Sequence, residues 1–264
     1  MRFYQLDNDT KKYVKRLNYN GFKTPTDIYS VDQFVRGVKD LGIWNNMICW
    51  PLRADQNAGS GNIAYSLGAL GIYNATLNNS PSWQANGLTT NGTNQWVDAT
   101  IPTSSAWSFV AIMSRINNSD TEPKYYWGLY YSAQSSSLSG NTYYLKDGGL
   151  GIFQSDNSIN NWSPSRPAAN ATTNFGFQSV AYSESGPSAN VSLNGSFSAQ
   201  SSVRNLSAIR QDRMVLARRA GDALHYGNAA HSFYSYFNLQ LSNSTIESLR
   251  ALCKSTIGKG LALP

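Results

Sequence analysis

The sequence predicts an all-β protein, an antiparallel two-sheet jelly-roll sandwich with an N-terminal helix and a short C-terminal helix. Three observations indicate this class. Short apolar runs follow one another through the chain, turn signals such as Asn-Gly pairs separate them, and the middle of the chain shows almost no helical periodicity. A chain of 264 residues suits one such sandwich, since these folds commonly take about 200–250 residues as a single unit.

The composition indicates a surface that meets other proteins or sugars. Charged residues make up 14% of the chain, well below the usual share of about 25%, and Asn, Ser, Thr, Gly and Tyr replace them. The net charge of +6 has two local sources: Lys11, Lys12, Lys15 and Arg16, and then Arg210, Arg213, Arg218 and Arg219. A nucleic-acid interface needs basic residues on one face, usually with aromatic residues between them. A solvated face or a subunit contact is favoured here, and no nucleic-acid partner is expected.

Few residues are available to hold a metal. The chain has two cysteines, Cys49 and Cys253, and two histidines, His225 and His231, whereas a structural zinc site needs four ligands at close spacing. Both cysteines fall in helix-like segments with apolar neighbours, so we expect buried free thiols. No signal peptide or membrane span is visible, which predicts synthesis in a cytosol and no membrane partner.

Three segments are expected along the chain. Residues 1–24 are polar and basic with little periodicity, which predicts an N-terminal arm, either a disordered tail or a docking segment. Residues 25–54 read as a helical attachment segment that a capping box of Ser30 and Gln33 begins and Pro51 ends. Its apolar series is Phe34, Val38, Leu41, Trp44 and Ile48. Residues 55–264 form the jelly-roll domain, and its Gly-rich start, residues 55–71, lacks the spacing of a phosphate-binding loop and reads as a surface loop.

Turn and strand signals then order the sandwich. Trp83–Ala99 carries two Asn-Gly pairs ahead of a strand-like run that includes Trp96 and Val97. Ala106–Ser114 has apolar residues on both alternating faces, which predicts a central strand covered on both sides. Ala189–Gln200 reads as a hairpin around Asn194-Gly195. The other candidate strands are Tyr125–Ala133, Gly149–Gln154, Phe175–Tyr182, Arg213–Ala217 and Phe233–Leu239.

A short helix should close the chain. Ser244 and Glu247 make a second capping box, and Ile246, Leu249 and Cys253 lie on one apolar stripe. The Gly- and Leu-rich tail, residues 258–264, is expected to be loosely held.

Three segments, taken in order, resemble concanavalin A-like and laminin-G-like jelly rolls. Trp83 with Gly87-Leu88, and then Asn91-Gly92 with Trp96-Val97, is similar to the opening of that family. The family's hairpin is matched by Val191–Gly195. Its closing strand and short helix are matched by Phe233–Leu239, Leu241-Ser242, Ile246 and Leu249. The resemblance covers roughly residues 60–253, and it departs at Thr90, where an aromatic residue often precedes the Asn-Gly pair.

A helix with a Leu41–Trp44 ending before such a jelly roll resembles virion proteins of tailed bacteriophages. That resemblance implies a virion location after synthesis in the host cytoplasm, as a tail-fibre-associated or a capsid decoration protein. Other virion proteins would be its partners, a host-surface glycan could be its ligand, and a homotrimer would be its assembly. Attachment to the particle would then fall to Lys11, Lys12, Lys15 and Arg16.

Jelly rolls of this class also include glycoside hydrolases, which use two carboxylates on either side of the scissile bond. The chain has three glutamates that are far from one another in sequence: Glu122 in a turn with Asp120, Glu184 before a Gly-Pro turn, and Glu247 in a helix cap. No G-x-S-x-G elbow accompanies either histidine. We therefore expect no catalytic residues and a non-enzymatic protein. A glycan-active hydrolase of the concanavalin A-like class is the alternative, and new reducing ends from polysaccharides would reveal it.

Glycan binding needs an exposed aromatic face beside hydrogen-bonding side chains. The expected loop Asp156–Arg166 supplies Trp162 with Asn161 and Arg166, and a second expected loop supplies His225 and Tyr226. These five residues are the candidate contacts to a glycan or a partner protein. Some laminin-G-like domains carry a calcium ion, and Asp55, Asp98 and Asp147 could be the ligands of such an ion here. No ligand spacing supports this site, so no cofactor is expected.

Overall fold

The computed structural model describes residues 5–115, 124–130, 140–146, 149–155, 160–163, 175–199, 212–218 and 226–264. The described residues form three α-helices: α1 (Asn8–Tyr19), α2 (Ile28–Asp40) and α3 (Asn243–Ser255). They also form sixteen strands: β1 (Met47–Pro51), β2 (Ile63–Ala64), β3 (Ala75–Asn78), β4 (Ser82–Gln84), β5 (Gly87–Thr89), β6 (Trp96–Thr100), β7 (Ala106–Arg115), β8 (Lys124–Tyr130), β9 (Gly140–Lys146), β10 (Gly149–Ser155), β11 (Asn160–Ser163), β12 (Gly176–Ser183), β13 (Ser188–Leu193), β14 (Ser196–Ala199), β15 (Arg213–Leu216) and β16 (Ala229–Phe237).

The strands form two antiparallel sheets, as the sequence predicts. The helix-covered sheet has the order β14-β13-β12-β7-β16-β5-β4, and β1 pairs with the part of β16 beyond β5. The second sheet has the order β11-β10-β9-β8-β15-β6-β3-β2. The predicted β-sandwich is therefore confirmed, with helices contributed by both ends of the chain.

The predicted central strand, β7, shows how the layers are built. It pairs with β12 on one side and β16 on the other. Trp107 and Phe109 point into a core between the two sheets, whereas Val110 and Ile112 point into a second core beneath the helices. Both faces are buried because apolar residues occupy both sets of alternating positions. The molecule thus has three layers: helices, the helix-covered sheet and the second sheet.

The expected N-terminal arm is corrected over residues 8–19, which form helix α1. Asp7 caps the helix by accepting a hydrogen bond from the amide of Asp9 at 2.9 Å. Tyr13, Val14 and Leu17 lie on one side of the helix and are buried in the core beneath the helices. The apolar stripe is short and contains Tyr13, whose hydroxyl donates to Gln56 O at 3.0 Å. The polar sequence around this stripe hid its helical period.

Helix α2 begins and ends earlier than its capping signals predict. Its N-cap is Asp27, which makes no side-chain cap hydrogen bond, so the expected capping box of Ser30 and Gln33 is wrong. Gly42 adopts a φ of +72° just beyond the helix and allows the chain to turn. Trp44 then lies in a 3₁₀ turn, and Ile48 belongs to β1 rather than to the helix.

The C-terminal helix is confirmed, but its cap is displaced. Ser242 caps α3 and accepts from the amide of Thr245 at 3.1 Å, so the expected box of Ser244 and Glu247 is wrong. The tail after it is not loose, because Leu261 and Leu263 are buried in the core beneath the helices. Helix α1 and residues 243–264 therefore both belong to the folded body.

Other expectations had mixed outcomes. The hairpin of β13 and β14 is confirmed, with positive φ at both Asn194 and Gly195. Both cysteines are free and buried as expected, although Cys49 lies in a strand rather than a helix. The expected surface loop at residues 55–71 contains β2 and buries Gln56 and Asn57. Within the described ranges, no helix combines the length and the apolarity that a membrane span requires.

Candidate functional site

The turn before β6 positions the first residue of the candidate site, Trp96. Asn91 Oδ1 accepts hydrogen bonds from the amides of Thr93, Asn94 and Gln95 at 3.0, 3.2 and 3.3 Å. The Gln95 side chain closes the turn, because its Oε1 accepts from the Asn91 amide and its Nε2 donates to Ser80 O. Side-chain hydrogen bonds therefore stabilise the turn at the second Asn-Gly pair, and Trp96 follows this turn as the first residue of β6.

Trp96 and Asp98 lie on the outer face of the second sheet. Val97 and Ala99, which alternate with them, are buried in the core between the sheets. Asp98 Oδ2 pairs with Arg213 Nη2 of the neighbouring strand β15 at 2.5 Å. Arg213 also hydrogen-bonds Tyr130, its register partner on β8. Three strands thus contribute polar groups to one patch.

The protonation of this patch follows from its ion pair. Burial alone would lower the pKa of Arg213, but its hydrogen bond to Asp98 and the charge of Asp98 raise that pKa. Burial, and then the charge of Asp98, raise the pKa of the Tyr130 hydroxyl. At neutral pH the patch therefore presents a guanidinium cation and a protonated phenol.

An aromatic and cationic stack lies at the other end of β6. The Arg218 guanidinium lies 4.5 Å from the centroid of the Trp96 ring, and the Tyr226 ring lies 6.1 Å from it at an angle of 41°. Both distances are within the range of favourable cation–π and aromatic contacts. Tyr226 is held in place because the amide of Gly227 donates to Ala217 O at 2.9 Å. We call Trp96, Asp98, Arg213, Arg218 and Tyr226 the outer-face cluster.

The outer-face cluster contains unsatisfied polar atoms. In the part of the chain that the structure describes, Asp98 Oδ1, Arg213 Nε and Arg218 Nε are buried and lack a hydrogen-bond partner. A buried polar atom without a partner costs about 1–3 kcal/mol, so most such atoms in folded proteins are paired. One acceptor and two donors near the half-buried ring of Trp96 therefore lack a partner in the described part of the chain.

The structure separates the residues that the sequence proposed as glycan contacts. Tyr226 belongs to the outer-face cluster, although only 8% of its surface is exposed. Asn161 and Trp162 lie in β11 at the edge of the second sheet, so the expected loop around them is wrong at residues 160–163. Arg166 and His225 lie outside the described residues.

Register shows how far Trp162 is from the cluster. One row of paired residues crosses the second sheet from Trp162 to Asp98: Trp162, Phe153, Thr142, Gly128, Val215 and Asp98. Neighbouring strands lie about 4.8 Å apart, so five steps separate these two residues by about 24 Å. One sugar therefore cannot contact both positions.

The proposed attachment residues are all on α1. Lys12 and Lys15 are exposed, and Lys11 is half-exposed. Arg16 turns inward and is partly buried, donating from Nη2 to the carbonyl oxygen of Ser66. The three lysines lie at the surface of the helix layer, where Lys12 pairs with Asp9 at 3.0 Å, whereas Arg16 is engaged with the body of the protein.

The two described aspartates that were considered as calcium ligands form ion pairs with arginines. Asp55 pairs with Arg53 at 3.1 Å, and Asp98 pairs with Arg213; Asp147 lies outside the described residues. No group of three or more His, Cys, Asp or Glu side chains suited to a metal occurs among the described residues.

Sequence reasoning missed most of the outer-face cluster. Alternation in β6 could have placed Trp96 and Asp98 on one face, since two positions separate them. Arg213 and Arg218 come from more than a hundred residues further along the chain, and only the register of β6 with β15 brings them there. The basic run at residues 210–219 indicated a cationic surface, but it did not indicate that Asp98 and Trp96 would contact its arginines.

Comparison with known proteins supports the fold. No family model matches the chain, and no curated protein matches it in sequence. A mutant of Trypanosoma rangeli sialidase with trans-sialidase activity has a TM-score of 0.61 at 13% identity, covering 88% of this chain and 40% of that one. Trypanosoma rangeli sialidase in complex with sialic acid has a TM-score of 0.59 at 15% identity, covering 87% and 39%.

A second group of similar structures comes from a toxin. The binding domain of botulinum neurotoxin serotype D has a TM-score of 0.57 at 12% identity, covering 80% of this chain and 53% of that one. The chain thus spans between about two fifths and about half of the length of these structures. At such low identity the likeness shows the fold alone: a jelly-roll-like β-sandwich.

Proposed function

We propose that this chain is a non-enzymatic virion surface protein whose jelly-roll sandwich binds a host-surface glycan through the outer-face cluster. The observation that carries the glycan part is Trp96, a half-buried ring beside buried polar atoms that lack partners. Pyranose rings have an apolar C–H face that stacks on aromatic rings, and their hydroxyl groups both donate and accept hydrogen bonds. Asp98 Oδ1 would accept from a sugar hydroxyl, and the two arginine Nε groups would donate to sugar oxygens.

The names of two similar structures support the proposal of a glycan-binding protein. One of them is a sialidase in complex with sialic acid, and another is the binding domain of a toxin. Lectin-type β-sandwiches are a frequent scaffold for sugar recognition, but a fold does not fix a function. The proposal therefore depends on the outer-face cluster and uses the likeness as support.

The pairing of the single carboxylate in the outer-face cluster favours binding over hydrolysis. Most glycosidases hold two carboxyl groups about 5–5.5 Å or about 6.5–9.5 Å apart across the scissile bond. In the described part of the cluster, Asp98 is instead paired through Oδ2 with Arg213, and that pairing fixes the orientation of the carboxylate. Such a group can orient a ligand, and the outer-face cluster as defined holds no second carboxyl group to complete the pair that hydrolysis uses.

A glycan array followed by calorimetry tests the binding site. Trp96→Ala should weaken binding of the best glycan about tenfold, which corresponds to about 1.4 kcal/mol. Trp83→Ala is the matched control, because Trp83 is also partly buried but lies on β4 of the other sheet. Trp162→Ala tests whether the site extends along the row to β11. Equal losses for Trp96→Ala and Trp83→Ala would contradict the assignment, as would an array without any bound glycan.

The virion part of the proposal is supported by the sequence resemblance and by the lysines exposed on α1. Two roles remain within it: an adhesin that contacts host glycan, and a decoration protein that contacts only its neighbours in the particle. Immunogold labelling of particles would separate a fibre location from a shell location. Light scattering should give three times 29.0 kDa if the protein is a homotrimer.

Attachment through α1 needs point variants rather than truncation. Removing residues 1–24 would delete helix α1, whose Tyr13, Val14 and Leu17 are buried in the core beneath the helices. If the truncated protein failed to enter particles, the result would not distinguish lost attachment from misfolding. Changing Lys11, Lys12 and Lys15 together to Gln should instead reduce incorporation into particles at unchanged thermal stability. The control is Lys23→Gln with Lys254→Gln, two exposed lysines outside α1. Normal incorporation of the triple variant would contradict attachment through this helix.

A further inference from the structure

The helix layer contains a groove on the opposite side of the sandwich from the outer-face cluster. The groove has a volume of about 670 Å³ and lies between α1, the end of α2 and the chain at residues 67–72. Its lining includes three cationic side chains, Lys12, Arg16 and Lys39, the carboxylate of Asp9, and the apolar groups of Trp44 and Ile72. Ile72 is 66% exposed, so its side chain is accessible at the rim of the groove.

Two of the three cations already have carboxylate partners. Lys39 Nζ lies 2.7 Å from Asp7 Oδ1 and 2.8 Å from Asp9 Oδ2, and Lys12 Nζ lies 3.0 Å from Asp9 Oδ1. Lys39 also lies 5.3 Å from the centroid of the Trp44 ring. The positive charges at this end of the groove are therefore balanced within the protein.

Arg16 is different. Its Nη2 donates to the carbonyl oxygen of Ser66, and its guanidinium lies 5.8 Å from the centroid of the Tyr13 ring. Its Nη1 is buried and has no hydrogen-bond partner among the described residues. Burial without a nearby carboxylate lowers the pKa of Arg16, although the side chain stays charged at neutral pH. A partly buried cation of this kind lacks the anion that usually accompanies it.

We propose that the groove binds a segment of a partner protein that carries a carboxylate next to an aliphatic side chain. The carboxylate of the segment pairs with Arg16, and the aliphatic side chain lies against Ile72 and Trp44. Guanidinium groups favour carboxylates because their planar N–H groups match the two oxygens. The inference rests on the proposed function only in making the partner another virion protein, since the groove itself is independent of glycan binding.

The groove fits a peptide better than a nucleic acid. Nucleic-acid binding depends on several unpaired cations that neutralise successive phosphates. Here the lysines at positions 12 and 39 are engaged with Asp7 and Asp9, which leaves Arg16 as the cation without a carboxylate among the described lining residues. One anionic group beside an apolar surface is the pattern of a short acidic and aliphatic peptide.

Fluorescence anisotropy with the full chain tests this site. The probe is a fluorescein-labelled peptide, Gly-Ser-Leu-Glu-Leu-Glu-Gly, and its matched control replaces each Glu by Gln. The Glu peptide should bind saturably and the Gln peptide at least about tenfold more weakly. Arg16→Gln should weaken the Glu peptide about tenfold, whereas Lys254→Gln, an exposed lysine on α3, should change its affinity less than twofold.

A second variant protects the test against misfolding. Ile72→Ser changes a side chain that is mostly exposed, so the protein should stay folded while peptide affinity falls about threefold. Equal losses for Arg16→Gln and Lys254→Gln would overturn the proposal, because they would indicate diffuse charge attraction. Absence of saturable binding would overturn it too, as would tighter binding of a twelve-nucleotide single-stranded DNA. None of these outcomes affects glycan binding, which is measured with a different ligand.

Discussion

His231 is a fully buried histidine in β16, held between a hydroxyl and a phenol. Its Nδ1 lies 2.6 Å from Tyr234 Oη, and its Nε2 lies 3.4 Å from Thr90 Oγ1. Burial lowers the pKa of His231 from 6.5 to about 3, because the charged imidazolium would lose its hydration. The folded protein therefore carries this side chain uncharged, whereas the unfolded chain binds a proton there below about pH 6.5.

This difference makes stability depend on pH. Between about pH 6.5 and about pH 3 the unfolded state binds one more proton, so the free energy of unfolding falls as the pH falls, by up to about 1.4 kcal/mol per pH unit. His231→Gln removes this proton, so its stability should fall less steeply than that of the wild type over the same range. Urea unfolding at a series of pH values gives both slopes. Parallel slopes would contradict the buried neutral histidine, whatever the absolute stability of the variant.

Gly87 lies where the backbone of β5 closely approaches the backbone of β16. Its φ is +142°, and a Cβ atom added there would lie 2.5 Å from the carbonyl oxygen of His231. Gly186 also has a positive φ, +61°, but a Cβ atom there would meet nothing within 4 Å. Both glycines therefore have a positive φ, though not the same conformation, and they differ in the space around them.

The pair makes a matched comparison of strain and close approach. Gly186→Ala should cost about 1–2 kcal/mol, from the backbone conformation alone. Gly87→Ala adds overpacking against β16 and should cost about 1–3 kcal/mol more. Chemical unfolding of both variants measures the difference. Equal destabilisation would show that β5 does not approach β16 as closely as the structure indicates.

At the scale of elements, helix α1 is the clearest departure from expectation. Leu17 is fully buried in the core beneath the helices, as is Val14. Leu17→Ala should therefore reduce the free energy of unfolding by about 2–5 kcal/mol. Lys15→Ala, at an exposed position of the same helix, should change it by less than about 0.5 kcal/mol. If both variants changed the free energy of unfolding by similarly small amounts, the prediction of an N-terminal arm over residues 1–24 would be favoured again.

The strands were predictable because their signals are local. The alternation in β7 and the Asn194-Gly195 turn each depend on residues that lie next to one another in sequence. Helix starts were harder, since Asp27 begins α2 without a side-chain cap bond and Ser242 rather than Ser244 caps α3. Trp162 was assigned to a loop because Asn, Ser and Pro surround it, yet pairing with β10 makes it part of a strand.

The candidate site was less predictable because its parts come from distant segments. Of the five candidate contacts, Tyr226 lies in the cluster, where its ring contacts Trp96, and its contact with a glycan stays a prediction. The arginines reach Trp96 and Asp98 only through the pairing of β6 with β15. Register between strands that are far apart in sequence depends on the whole fold, so a single sequence does not specify it.

At the scale of the whole molecule, the three layers separate the two proposed surfaces. The groove beside α1 lies in the helix layer, and the outer-face cluster lies on the far side of the second sheet. A protein held to its neighbours through the helices would therefore present the second sheet outward. This arrangement allows attachment and glycan contact at the same time, because neither surface covers the other.

The most direct test of glycan recognition follows the tryptophan side chains during binding. The chain has seven tryptophans, whose indole N–H signals can be assigned in ¹⁵N-labelled protein from single Trp→Phe variants. Titration with the glycan selected on the array should shift the Trp96 signal and leave the Trp83 signal unchanged. A Trp96 signal that stays fixed at saturating glycan would contradict the central claim that the outer-face cluster is the binding site.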